Sequence, residues 1–455
     1  MNRIARIRMK ALCAAAFALA GVGLRADDSA ARPPDDTERL QARIDEAWRA
    51  GGGRVTVEAG DYELRPVRLR SRVELHLMPG ARIRGSRRAD DYVGALAADR
   101  VERVSASDLK SSCGENLALR WQYALFVAFR AEDVRIVGEP GSVVDGVNCP
   151  DPKGGEGYRG PHTFWFAAST NIAVRGVTVV DSADYAFKFV DCRNVLADRV
   201  KVRGGHDGIH FDLCNGVRIV GCDLQTGDDC VAGSGCSEIT VSNCVLNSAC
   251  SPFRLGGRNV LVTDCVSTGP ARYPHRWTLT AAEKARGAAP GEVEGRRTVG
   301  CFYQCYTGDV AHKDFYPGNI VVRNTVVRNA ERFMVSLSGL PGAIWQDGNG
   351  IPDITFENVT ATGLSLPSAV VAKPDCPMRI VLRRCSFGFA SAQPCAFFGK
   401  NVEIVDEGSS FSNARRLYEE RPDVSYDDIP EFPSWRVESA GQRAAWGLPP
   451  LGAKR

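Results

Sequence analysis

The chain has 455 residues, 44% of them hydrophobic and 24% charged, with a formal net charge of +3. Arg3, Arg6, Arg8, Lys10 and Arg25 sit in a segment expected to be removed, which leaves −2. This is an ordinary globular balance with no basic excess to attract nucleic acid.

The first 26 residues read as a secretory signal. Arg3 to Lys10 is basic, Ala11 to Leu24 is apolar but too short for an ordinary membrane span, and Ala26 offers a small residue at the cut. The mature protein is therefore expected to be secreted or periplasmic, off the membrane and monomeric. Asp36 to Ala50 has helical spacing, with Leu40, Ile44, Ala47 and Trp48 on one face and Asp36 or Thr37 as cap. Such a helix would cover the open end of a sheet. Gly51-Gly52-Gly53 lacks the Lys-Ser or Lys-Thr of a phosphate loop and reads as a turn.

Arg54 to Val57, Val67 to Leu69, Val73 to Leu77, Val134 to Val137 and Val143 to Val144 read as strands. Asp90 to Arg120 and Pro150 to Pro161 are excursions between them. From His162 to about Ser267 a period appears. Asp207, Asp229 and Ser251 are 22 residues apart, as are Phe187, Ile209, Val231 and Phe253, and Phe189, Phe211, Gly233 and Leu255. Short, β-branched, Gly-rich repeats in register predict an all-β solenoid, a parallel β-helix of about ten coils. An insertion over 269–300, helix-like at Ala281 to Ala285, interrupts it. Strands resume at Asn319 to Val322, Asp353 to Phe356 and Arg379 to Leu382. The catalytic domain is read as 27–411, with a tail over 412–455 that packs back on it.

Sixteen cysteines would suggest disulfides in an exported chain. Two columns, Cys192, Cys214, Cys236 and Cys222, Cys244, Cys265, follow the core period instead, so buried thiols are expected. No paired cysteine motif with histidines marks a metal, and neither metal nor cofactor is expected.

In-register coils stack about 4.8 Å apart. Asp207 and Asp229 should therefore be neighbours, with Asp228 beside them and under His206. Three carboxylates this close cannot all ionise cheaply, and at least one pKa should rise. The outward column Trp165, Lys188, His210, Ala232, Arg254 would line a groove beside them. Cations there suit an anionic sugar, and Trp165 could stack on its face. His162 and Tyr185 could border the site.

The order of these motifs resembles the family 28 glycoside hydrolases, the polygalacturonase-like pectinases. It is carried by Gly51-Gly52-Gly53-Arg54-Val55, Val73-Glu74-Leu75-His76-Leu77, Val144-Asp145-Gly146, His206-Asp207-Gly208 and Gly227-Asp228-Asp229-Cys230. The resemblance implies a right-handed helix and metal-free, inverting hydrolysis of glycosidic bonds in uronic-acid-containing polysaccharide. By position, Asp228 would be the general acid, with a raised pKa, and Asp207 and Asp229 would activate water. The family has Asn-Thr where Gly205-His206 stands and Gly-His-Gly where Cys250-Ser251-Pro252 stands. It also has an Arg-x-Lys pair for the uronate carboxylate, absent here between Ser251 and Arg328. His206 and Arg254 are candidate replacements, with Arg276 a further candidate contact to substrate. A polysaccharide lyase using Ca²⁺, or a non-catalytic glycan-binding β-helix, are the alternatives.

Overall fold

The computed structural model describes residues 35–97, 119–154, 159–275, 298–308, 314–341, 343, 346 and 348–429. Its strands form three parallel sheets of 12 strands, each sheet taking every third strand. The first runs from Gly53–Val57 to Val402–Glu407, the second from Gly60–Leu64 to Ser410–Ala414, and the third from Val67–Arg68 to Tyr418–Glu420. This is a right-handed parallel β-helix. It has twelve coils rather than about ten, and the last continues through Tyr418–Glu420, beyond the boundary expected at residue 411.

The register is the one the period predicts: Phe187 pairs with Ile209, Ile209 with Val231, and Val231 with Phe253. Identical inward positions therefore stack. The rings of Phe126, Phe164 and Phe187 lie 4.9 and 5.0 Å apart in sequence, and Phe166 stacks on Phe189 at 4.9 Å. Offset aromatic stacking adds to the large apolar area each ring buries. Gly233 continues the column of Phe189 and Phe211 because a Cβ there would lie 2.4 Å from the Phe211 ring.

The corner between first and second strands is two residues long from the fourth coil to the twelfth. Its first residue is left-handed throughout: Gly176, Arg199, Gly221, Asn243, Asp264, Asn324, Asn358, Arg384 and Gly408. Gly and Asn take this conformation at least cost. The second corner residue is buried in the next eight places, as Val177, Val200, Cys222, Cys244, Cys265, Thr325, Val359 and Cys385. This explains one thiol column: the position needs a small inward side chain that tolerates a dry core. The other column is held by backbone N–H groups, with Cys192 N donating to Cys214 Sγ at 3.4 Å and Cys214 N to Cys236 Sγ at 3.1 Å. All fourteen described cysteines are free thiols, and all but Cys376 are buried.

The helix Asp36–Arg49 buries Thr37, Leu40 and Ile44 and packs on the strands of the first coil. Trp48 is exposed, with Arg70 over its ring at 4.6 Å, so it stands outside the apolar face. Thr37 Oγ1 accepts from Arg65 N at 3.0 Å, which ties the helix to the chain entering the third strand. Residues 281–285 and the tail from 430 lie outside the described residues.

The aromatic stack yields a stability prediction. Phe164→Ala should cost about 3–5 kcal/mol, because stacked neighbours on both sides limit collapse of the cavity. Chemical denaturation should show a lower midpoint with a similar slope; a change below ~1 kcal/mol would mean that the column contributes little.

Candidate active site

Three short turns between the second and third sheets carry the candidate residues. Ala186 N donates to Asp207 O at 2.9 Å, Gly208 N to Asp229 O at 2.9 Å, and Cys230 N to Ser251 O at 3.1 Å. This ladder stacks Tyr185, Asp207, Asp229 and Ser251, and beside them Asp184, His206, Asp228 and Cys250. Tight stacking explains the glycines. A Cβ on Gly205 would meet Ser182 O at 2.6 Å, and one on Gly227 would meet Gly205 O at 2.3 Å and Pro274 O at 2.9 Å.

The three carboxylates have different partners. Asp207 Oδ2 lies 2.7 Å from His210 Nδ1. The other nitrogen of that ring lies 3.5 Å from Asp212, which pairs with Lys188 Nζ at 2.5 Å. Burial opposes charge on Asp212, but Lys188 and His210 hold its carboxyl well below the usual range. Asp228 Oδ2 lies 3.1 Å from His206 Nδ1 and 3.7 Å from His275 Nε2. Asp229 accepts from Ser251 N at 3.1 Å and lies 3.7 Å from Arg254 Nη1.

These surroundings divide the protonation states. Burial alone would raise the pKa of Asp228, but the hydrogen bond from His206 and the charge of His275 bring it below the usual carboxylate range. Asp229 is the least exposed of the three at 1%. Burial, then the negative charges of Asp228 and Asp207, push it well above that range, against the pull of Arg254. The raised pKa expected of Asp228 thus belongs to Asp229. The neighbouring negative charge acts on both residues, but Asp228 faces two imidazoles, at 3.1 and 3.7 Å, and Asp229 a single guanidinium at 3.7 Å.

The outward column also differs from expectation. Trp165 is 1% exposed and Lys188 8%, so neither presents a face to a groove. Lys188 is consumed by Asp212, and His210 is sandwiched between the Asp207 and Asp212 carboxylates. Both side chains belong to the contact network that ends on Asp207. Arg254 keeps 21% of its side chain exposed, and Tyr306 lies 5.1 Å beneath its guanidinium. Tyr185 does border the site, stacked between His162 at 5.1 Å and His210 at 4.4 Å. Burial lowers the pKa of His162 to about 4. Arg276 lies outside the described residues.

Sequence reading missed four contributors. Asp184 and Cys250 complete the column of His206 and Asp228, so the same 22-residue step finds them. Arg159 and His275 come from the two excursions flanking the short turns, where no period applies. Arg159 Nη1 lies 3.2 Å from Asp184 and 3.0 Å from Tyr185 Oη. The two excursions thus both reach the carboxylate floor, Arg159 at Asp184 and His275 at Asp228. A separate concavity of about 680 Å³ on the first sheet, lined by Leu196, Arg218, Thr240 and Leu261 among others, holds none of them.

Comparison with known proteins converges on this floor. The family described as Glycosyl hydrolases family 28 matches residues 118–251, which contain Asp207, Asp228 and Asp229. An exopolygalacturonase of Oenothera organensis is 35% identical over 78 residues, 16% of this chain and 22% of the relative. The chain therefore spans about a fifth of the length of that curated relative. Among solved structures, a hyperthermoactive exopolygalacturonase from Thermotoga maritima superposes with a TM-score of 0.59 at 17% identity, over 84% of this chain and 88% of the other. The family 28 exopolygalacturonase of Yersinia enterocolitica gives 0.57 at 15% identity, over 88% and 77%. At these identities the superpositions establish the shared β-helix.

The elevated pKa of Asp229 predicts a pH-dependent stability. The native state keeps this proton after the unfolded chain has lost it, near the ordinary aspartate value of about 3.9. Its contribution is complete below that pH and declines as pH rises toward the elevated native value. Asp229→Asn cannot titrate. The melting temperature of the variant relative to wild type should therefore rise between about pH 4 and pH 7. A flat difference would mean that Asp229 ionises normally.

Proposed function

We propose that the chain is a family 28 glycoside hydrolase that cleaves glycosidic bonds in polygalacturonan-type polysaccharide after export through its first 26 residues. One observation carries this reading: three stacked carboxylates, within the segment the family matches, whose surroundings keep a proton on one member while another stays ionised. Hydrolysis of a glycosidic bond by carboxyl groups needs that division, a proton for the leaving oxygen and a base for the water. Exopolygalacturonases are among the proteins this chain is similar to. The basic, apolar and small-residue order of residues 1–26 supports export.

In this mechanism Asp207 is the base, its orientation fixed by the chain of contacts through His210, Asp212 and Lys188. Asp228 and Asp229 hold the proton between them. It rests on Asp229 in the free site, and the resemblance makes Asp228 the group that delivers it. Asp228 and Asp229 share this proton, so its delivery belongs to neither residue alone. Arg254 beside Asp229 and Arg159 beside Asp184 favour an anionic sugar over a neutral one. Inversion at the anomeric carbon follows from the resemblance and is part of the proposal.

A panel of acidic and neutral polysaccharides, read by new reducing ends and by ultraviolet absorbance of unsaturated sugar, tests the reading. Reducing ends on polygalacturonan without absorbance are expected; absorbance would identify a lyase. Asp228→Asn should retain the fold, checked by thermal melting, and lower turnover by about 10²–10⁴. Asp229→Asn should fall in the same range, and the double variant only slightly further, because the groups act together. Wild-type turnover in folded Asp228→Asn would instead favour a glycan-binding role for the floor.

A further inference from the structure

We propose that the floor of this cleft holds a binding site for a thiophilic divalent cation such as Zn²⁺, formed by Asp228, Cys250 and His275. One oxygen, one sulfur and one nitrogen from these side chains lie within 4.8 Å of one another, and His275 Nε2 is already 3.7 Å from Asp228 Oδ2. Tetrahedral zinc with bonds of about 2.0–2.3 Å separates its ligands by ~3.3–3.8 Å. The site therefore closes around the ion with side-chain adjustments of roughly an ångström or less. Carboxylate, thiolate and imidazole together select zinc-like ions over Mg²⁺ or Ca²⁺, which prefer oxygen alone. Three protein ligands leave a fourth position for water.

The ligands are held in place from behind. Asp228 O accepts from Thr226 Oγ1 and from Ser248 Oγ, both at 2.6 Å, and Ser248 Oγ in turn accepts from Cys250 N at 2.8 Å. One serine thus fixes the turns of two ligands. The segment that brings His275 is anchored by Asn247. Its Nδ2 donates to Thr268 O at 2.5 Å and to Pro270 O at 3.0 Å, and its Oδ1 accepts from Arg272 N at 2.7 Å. Pro274 O packs on Gly227, directly before Asp228. Such supporting contacts set metal affinity nearly as strongly as the ligands do. Access is from the cleft, where the His275 and Asp228 side chains keep 20% and 13% of their surface.

Binding displaces the thiol proton of Cys250 to solvent and forms the metal–sulfur bond, with no change of oxidation state. It also engages Asp228 as a ligand and removes it from proton transfer. Inhibition of hydrolysis by Zn²⁺ follows from that consequence and rests on the proposed function; the binding itself does not.

Titration of the mature protein with Co²⁺ tests the site without any substrate. A near-ultraviolet thiolate-to-cobalt charge-transfer band should appear and be abolished by one equivalent of Zn²⁺. Cys250→Ser should remove the band, and His275→Gln should weaken binding on the order of 10–100-fold or more. Cys376→Ser, which alters the half-buried thiol elsewhere, should leave it unchanged. His275→Gln alters a side chain on an excursion and reads independently should Cys250→Ser fail to fold, as judged by thermal melting. No band in wild type, a band that survives in both site variants, or one lost only in Cys376→Ser would overturn the assignment.

Discussion

Parallel strands stacked in register place each residue directly against its counterpart on the next coil. Everything else in this protein answers to that constraint. For apolar positions it is favourable, and columns of phenylalanine or cysteine follow. For charged positions it is costly, since a coil spacing of about 4.8 Å brings like charges into contact. The column of Tyr185, Asp207, Asp229 and Ser251 sets two aspartates on adjacent coils, with Asp228 from the neighbouring column. The protein relieves the repulsion unequally. Asp207 and Asp228 receive imidazoles, and Asp229 keeps its proton. The chemistry attributed to the floor is therefore a product of the register as much as of the residues.

The period made most of this legible before any coordinates. Phe187, Ile209, Val231 and Phe253 set the coil length, and that length alone put Asp207 against Asp229. Carried one step further it would also have placed Asp184 and Cys250 with His206 and Asp228. What the period cannot reach is the excursions. Arg159 and His275 arrive from segments with no repeat, and nothing in their local sequence announces where they fold back. The strand alternation misled in one respect. It correctly turned Lys188 and His210 away from the core, but an outward side chain is exposed only when nothing covers that face. Here Tyr185, Tyr306 and the Asp212 carboxylate do, so those cations became internal supports for Asp207. Trp165 is buried as well.

Protonation was legible only in part. Composition and spacing show that three carboxylates must share fewer than three charges. Which one retains the proton depends on the imidazole and guanidinium contacts, and these are set by side-chain geometry. His206, on the same coil as Asp207, reaches Asp228 on the next. His275 comes from 46 positions further along the chain than Asp229. A one-residue difference in sequence, Asp228 against Asp229, becomes opposite electrostatic behaviour because the two side chains leave the same turn in different directions.

The two-residue corner between first and second strands has a consequence for how such a protein can vary. Nine successive coils keep it at constant length, with a left-handed residue followed in all but the last by a buried one. An insertion there would turn the following strand inside out, since side chains alternate faces with a period of two. The corner between third and first strands keeps two residues only from the fourth coil to the eighth and then lengthens, while the long excursions before and after the carboxylate floor leave from the edge between second and third strands. Large length changes thus fall at the two edges of the third sheet, one of which bears the site. New walls can be grafted, lengthened or replaced around the same carboxylates while the coil beneath them keeps its frame. The helix behaves as a fixed chassis whose editable edges flank the third sheet, and the surroundings of the carboxylates can diverge there without renegotiating the fold.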